Sequence, residues 1–286
     1  MSQYYNEKLS KIRCGKSHSL ESHAIIQRKG AYLQSLILSG TKILKESKDG
    51  IQTHGGSAIL IPFAGRIRNG IYNFEGRKYT LPINEPLGHS IHGFARDIYF
   101  RKDNETPTSV ILSAEIDNDY YPGKLRIYVS YTLTCNALTS TYRVKNIGKN
   151  NAPLHVGIHP YFEFFGEWEL TFSKKIYEIP NQDHLFPLNQ RIPARQNYKN
   201  EAEYFRDHVF FYGGGNIMFH NGKTAVKIQR HNMPYLTMYS RNFAERNSLA
   251  IEPQSSIADS YNNKIGLRII HPGQEISFYV RISVGE

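Results

Sequence analysis

The chain predicts an all-β fold, a large antiparallel sandwich or a wide barrel, on three observations. Period-two alternation of apolar and polar residues is its dominant pattern, turn signals punctuate it at short intervals, and no segment carries a convincing amphipathic helix of three turns. The 20 Tyr and 15 Phe among 286 residues lean the same way, because aromatic side chains fit a pleated, half-buried surface.

In chain order, 32–38 and 57–62 read as extended, followed by a hairpin in which Glu75-Gly76 joins Tyr72-Asn73-Phe74 to Tyr79-Thr80-Leu81. Segment 110–116 is a further candidate. Leu125, Ile127, Val129, Tyr131 and Leu133 then alternate with Arg126, Tyr128, Ser130 and Thr132, the pattern of a half-buried strand. Segments 141–147 and 168–172 follow as extended. The Asn-, Pro-, Gln- and Gly-rich stretches 180–200 and 213–216 read as loop excursions and not as domain linkers. Asn221-Gly222 between Ile217-Met218-Phe219 and Ala225-Val226-Lys227-Ile228 is the strongest short hairpin signature a sequence offers. Segments 248–252 and 266–271 precede a second clear alternation, Ile276, Phe278, Val280, Ile282 and Val284 against Ser277, Tyr279, Arg281 and Ser283.

A chain of this length and pattern is expected to form one domain over 1–286. Apolar residues at 40% and charged residues at 21% are those of an ordinary soluble globular protein. Its formal charge of +10 would attract anions, but the cations are dispersed and not gathered into a patch, which argues against nucleic acid and for a solvated basic surface. Two cysteines, Cys14 and Cys135, form neither a multi-disulfide framework nor a CxxC pair. A reducing cytoplasm fits. The N-terminal residues lack the apolar stretch of a signal peptide, and no run of ~18 apolar residues could cross a bilayer, so the expectation is a cytoplasmic protein without membrane contact.

Three scattered segments carry groups suited to moving protons: Ser-Ile-His-Gly at 90–93, His-Pro-Tyr-Phe at 159–162 and Ile-Glu-Pro-Gln at 251–254. One carboxylate and two imidazoles suffice to open and close a sugar ring, since one group must take a hydroxyl proton while another protonates the ring oxygen. Each has a blander reading. A lone His before Gly is ordinarily a turn or surface residue, and His159, preceding Pro160, would sit extended at a strand end with its ring bonded in the core. Glu252 is the hardest to explain that way, because Glu is seldom placed in an apolar strand without a purpose.

These segments, with Ile61-Pro-Phe-Ala-Gly-Arg-Ile-Arg-Asn-Gly70 and Ile83-Asn-Glu-Pro-Leu-Gly-His-Ser-Ile-His-Gly-Phe-Ala-Arg96, resemble the aldose 1-epimerases, or mutarotases. That family carries an Arg-Ile-x-x-Gly turn, a hairpin, an Asn-Glu-Pro-like stretch and a terminal His-Gly in this order, and the later blocks at 156–162 and 250–262 match its Leu-His-Pro-Tyr-Phe and Glu-Pro-Gln segments. The likeness spans about residues 30 to 285. It implies a β-sandwich of the galactose mutarotase-like type, with Glu252 as the base at the C1 hydroxyl, His159 as the acid at the ring oxygen, His92 as a second donor, and Arg66 and Asp207 as sugar binders. Arg68 is the rival of Arg66. Thr237 stands near where some members place a glutamine, and Ala258 where the family usually has Pro. No metal and no cofactor are implied.

Twelve His invite a metal hypothesis, and His155 and His159 have the spacing of a helical zinc pair. Gly157 and Pro160 make a helix there improbable, and on a strand positions four apart lie ~13 Å from each other. The Gly213-Gly214-Gly215 run lacks the Lys and helix of a phosphate cradle. His54, His89, His184 and His231 read as surface residues. The function expected is mutarotation of a free aldose by a monomer or homodimer. The alternatives are a hexose-6-phosphate 1-epimerase, since His92-Gly-Phe-Ala-Arg96 resembles a run of those enzymes in which arginines hold phosphate, and a non-catalytic carbohydrate-binding protein on the same fold.

Overall fold

Two large sheets, antiparallel at every pairing, dominate the computed structural model, which describes residues 9–15, 21–182, 185–240 and 247–285. His184 and the first eight residues, for which expectations were stated, lie outside the described residues. The first sheet has eleven strands. Ten run in the order Leu9–Cys14, Ser22–Gln27, Tyr32–Leu38, Ser57–Leu60, Gly157–Glu163, Ser248–Gln254, Tyr235–Tyr239, His208–Phe211, Ile176–Ile179 and Ile192–Ala194, and Thr41–Lys42 adds to Tyr32–Leu38. The second has nine, ordered Arg101–Thr106, Ser109–Ile116, Leu125–Leu133, Ala137–Asn146, Glu275–Val284, Ala225–His231, Ile217–His220, Glu169–Phe172 and Asn197–Lys199. Both sheets are open, so the architecture is the sandwich and not the barrel.

The apolar rows read from the sequence face the space between the sheets. Ile127, Val129 and Tyr131 of one sheet share a core cluster with Leu36, Ile59, Leu236 and Ile251 of the other, and the Phe162 and Phe219 rings meet across it at 6.0 Å. The alternating strand Leu125–Leu133 begins and ends where its pattern does. Among the described residues the one α-helical turn is Ser260–Asn263, and no helix is long and apolar enough to cross a membrane.

The Asn221-Gly222 hairpin forms as expected, turning over four residues, since His220 pairs with Ala225; the Asn221 side chain, fully buried, accepts the Lys223 and Thr224 N–H groups at 3.1 and 2.9 Å. Two expectations need correction. The stretch 180–200 is no plain loop, because short strands at Asn181–Gln182, Phe186–Pro187, Ile192–Ala194 and Asn197–Lys199 occupy it. Cys14 and Cys135 are joined by a disulfide, which ties the edge strand Leu9–Cys14 to the turn between Leu125–Leu133 and Ala137–Asn146. Cysteines 121 positions apart give no local sign of such pairing.

Candidate active site

Strand periodicity builds the site. Four neighbouring strands of the first sheet send one set of side chains into the sandwich and the other to its outer face. His159 and Tyr161, Glu252 and Gln254, Thr237 and Tyr239, and Val209 face outward into a cavity of about 630 Å³. Their intervening neighbours, Ile158 and Phe162, Leu249 and Ile251, Leu236 and Met238, and Phe210, join the core. The register places Thr237 opposite Glu252 and Gly157 opposite Gln254. Segments 51–54, 65–66 and 84–96 wall the cavity from above, so Gly157–Glu163 and Ser248–Gln254 are buried on both faces.

His92 is delivered by backbone geometry. The extended pair Arg66–Ile67 with Ser90–Ile91 brings it over the sheet, its N–H donates to the Gly65 carbonyl at 3.0 Å, and Phe94 and Ala95 both donate to the Ile61 carbonyl. His92 and Gly93 adopt positive φ, 67° and 64°. Gly93 has no alternative, since a Cβ there would lie 2.4 Å from the Ile61 carbonyl oxygen.

At the centre, His159 Nε2 lies 3.3 Å from Glu252 Oε1, and the His92 ring stands edge-on to His159 at 5.6 Å. Tyr161 stacks on the His159 ring at 4.9 Å, its hydroxyl anchored to the Thr53 carbonyl at 2.9 Å. Burial is the first cause of every shift in this group. It raises Glu252 well above the usual carboxylate range, with the nearby Asp207 charge adding to it. It lowers His159 to about 3, and it takes His92 well below the imidazole norm, helped by His159, Arg96 and Arg66. A dry site disfavours charge of either sign, so burial favours the neutral forms of both, and the 3.3 Å contact lets a proton pass from the carboxyl to the imidazole without net charge on the pair. Gly65 N–H donates to His92 Nδ1 at 3.3 Å, which leaves the ring proton on Nε2.

Gln254 supports the carboxylate. Its amide donates to Glu252 Oε2 at 3.2 Å and to Thr237 Oγ1 at 3.1 Å, while its Oε1 pairs with His155 Nε2 at 3.2 Å. The Ala64 N–H points at His155 Nδ1, 3.4 Å away. His155 is wholly buried and held at about 3 by that burial, so it serves as a neutral hydrogen-bond link to Gln254.

Arg66 lines the cavity with Glu85 Oε1 3.6 Å from its Nε and Asp207 Oδ2 3.8 Å from its guanidinium. Its rival Arg68 lies elsewhere, stacked 3.8 Å over Phe186 and beside Asp259. Asp207 stands at the rim with positive φ. All five expected residues, Glu252, His159, His92, Arg66 and Asp207, therefore border one cavity. Two of the expected surface histidines do not fit that reading: His89 is buried against Phe186, and His54 lines the cavity. His231 is exposed, as expected. Sequence reasoning missed Tyr161, Glu85 and the roles of Gln254 and His155, although the first three stand inside the segments singled out.

The aldose 1-epimerase family model matches residues 16–283. The chain belongs to this family. An uncharacterized Escherichia coli K12 protein, YihR, is 28% identical over 91% of this chain and 89% of its own. Rat galactose mutarotase is 30% identical over 48% of this chain and 42% of its own. Among solved structures, a galactose mutarotase related enzyme from Lactobacillus acidophilus superposes with a TM-score of 0.80 at 22% identity, covering 97% of both chains. Membership of this family implies a sugar as the substrate.

Proposed function

We propose that the protein is a mutarotase, interconverting the α and β anomers of a free aldose by acid–base ring opening and closure. Glu252 takes the C1 hydroxyl proton, His159 protonates the ring oxygen, and the C1–O5 bond breaks to give the open-chain aldehyde. Rotation about C1–C2 presents the opposite carbonyl face, and the two transfers run backward to close the other anomer. The 3.3 Å approach of Glu252 to His159 in a buried cavity carries this reading: one proton leaves the sugar as another enters it, so the neutral pair never acquires net charge. His92 donates through Nε2 to oxygen that gains charge as the ring opens, and Arg66 and Asp207 hold hydroxyls. The scheme needs neither metal nor cofactor.

Polarimetry on freshly dissolved glucose and galactose tests it: the protein speeds decay to the equilibrium rotation. Normal sugar binding without any acceleration would favour the non-catalytic reading.

Arg96 favours a second reading, a hexose 6-phosphate as substrate. Its side chain lines the same cavity, and a guanidinium suits phosphate. A preference for glucose 6-phosphate over glucose that Arg96→Ala abolishes would establish it. The proposal further includes a monomer or homodimer and a cytoplasmic site of action. A Cys14–Cys135 bond sits poorly with a reducing compartment, so thiol titration of protein isolated with its thiols trapped tests that part: two reactive thiols agree with it, none contradicts it.

A further inference from the structure

Glu85 stands on a braced turn over the cavity. The turn Glu85-Pro86-Leu87-Gly88 is closed by the Gly88 N–H, which donates to the Glu85 carbonyl at 3.2 Å, with Pro86 where its fixed φ suits a β-turn. Asn84 ties this turn to the short strand that precedes His92: its Oδ1 accepts the Ile91 N–H at 2.7 Å, and its Nδ2 donates to the Ile91 carbonyl at 3.0 Å. The Glu85 side chain lines the cavity and is only 9% exposed.

A carboxyl withdrawn from water costs free energy unless hydrogen bonds replace its hydration. Glu85 lacks that replacement among the described residues. Its Oε1 is shut off from solvent and receives no hydrogen bond, and the Arg66 Nε beside it is shut off and gives none. The two atoms lie 3.6 Å apart, beyond hydrogen-bond length. Asp207, on the other flank of the Arg66 guanidinium, differs in standing at the rim with its side chain 35% exposed, within reach of water. A buried acceptor without a donor, held at the cavity wall by a braced turn, is matched by a ligand that brings a proton. A sugar hydroxyl does so, whereas a phosphate or carboxylate group would bring charge of the same sign.

We infer that Glu85 is a specificity-determining residue of the cavity, accepting a hydrogen bond from one uncharged sugar hydroxyl beside the position that Arg66 serves. This rests on a sugar occupying the cavity but not on catalysis, since Glu85 takes no part in the proton transfers assigned to Glu252 and His159.

The test is calorimetric titration of the protein with the aldose that binds it best from a panel of hexoses and pentoses, and with each monodeoxy analogue of that aldose. Every sugar is brought to anomeric equilibrium beforehand, so turnover releases no heat. Glu85→Ala is expected to weaken the parent sugar about 10- to 100-fold, the scale of one hydrogen bond to a carboxylate, and to leave one deoxy analogue unaffected: the one lacking the hydroxyl that Glu85 receives. Glu85→Gln keeps an acceptor oxygen without the charge, so it should retain part of the affinity and show the same exception among the analogues; it also supplies the comparison if Glu85→Ala fails to fold. Equal weakening of every analogue would overturn the inference, as would no weakening of any sugar. A Gln variant as weak as the Ala variant would do the same, because Glu85 would then act only through its charge on Arg66. Failure of the wild type to speed anomer exchange would refute the mutarotase reading and leave this one standing, while no binding by any sugar of the panel would refute both.

Discussion

The Gln254 amide stands between two buried side chains, donating to Glu252 Oε2 and pairing through its carbonyl oxygen with His155 Nε2, each at 3.2 Å. The proposed base is thus held by a residue two positions along its own strand, and that residue is held by a histidine of another segment. A carboxylate that accepts a hydrogen bond is easier to keep ionised, so Gln254 opposes the burial that lifts Glu252.

Replacing Gln254 by Leu removes that donor and strands His155. The expected result is a kcat about tenfold lower, equivalent to about 1.4 kcal/mol, with the acid limb of the pH–rate profile moved to higher pH. His155→Phe should move the limb the same way by less. Initial rates of anomer exchange across pH 5–8 check this; an unmoved limb would mean that Gln254 merely fills space.

Acid should destabilise the protein well above the carboxylate range. His92, His155 and His159 are held below 6.5 chiefly by burial, the last two at about 3. The unfolded chain therefore binds their protons more tightly, and the stability they contribute, complete above pH 6.5, is lost as pH falls toward 3. Glu252 acts oppositely: its raised value contributes stability below pH 4.5 that is lost as pH rises through the folded value. At most three histidine protons give a slope of about 4 kcal/mol per pH unit, less about 1.4 where Glu252 opposes them. Urea midpoints at pH 7, 6 and 5 should fall in that order, and less steeply in His155→Gln. Equal midpoints would contradict the burial of these rings.

Gly93→Ala tests how His92 is delivered. The new Cβ would press on the Ile61 carbonyl at 2.4 Å in a left-handed conformation, so we expect a loss of about 1–3 kcal/mol and at least tenfold lower activity. Gly76→Ala is the control, because it has a similar φ, +78°, with no atom within 4 Å of its Cβ; it should cost stability alone. Equal activities in the two variants would mean that His92 does not depend on this turn.

Much of the fold was legible because strands with one wet face write their period into the sequence. Leu125–Leu133 shows it along its whole length and Glu275–Val284 as far as Arg281, beyond which Ser283 is buried as well. The strands that carry the site show it poorly, since Gly157–Glu163 and Ser248–Gln254 are covered on both sides and every residue is buried. Glu252, His159 and His92 were found through short local blocks, and Glu252 also because a carboxylate in an apolar strand is anomalous. Nothing local could reveal the Gln254–His155 link or the Cys14–Cys135 bond. Those depend on segments brought together by the sheets, where loop chemistry that reads as surface turns out to wall a cavity.

Exchange-spectroscopy NMR on a ¹³C-labelled aldose, with wild type, Glu252→Gln, His159→Asn and the double variant, tests most directly whether these two residues act as one proton-exchanging unit. Each single change should slow anomer exchange by about 10²–10⁴, and the double variant should be scarcely slower than the worse single, because a unit broken once has little left to lose. Two independent losses that multiply in the double variant, or wild-type exchange no faster than in buffer, would contradict it.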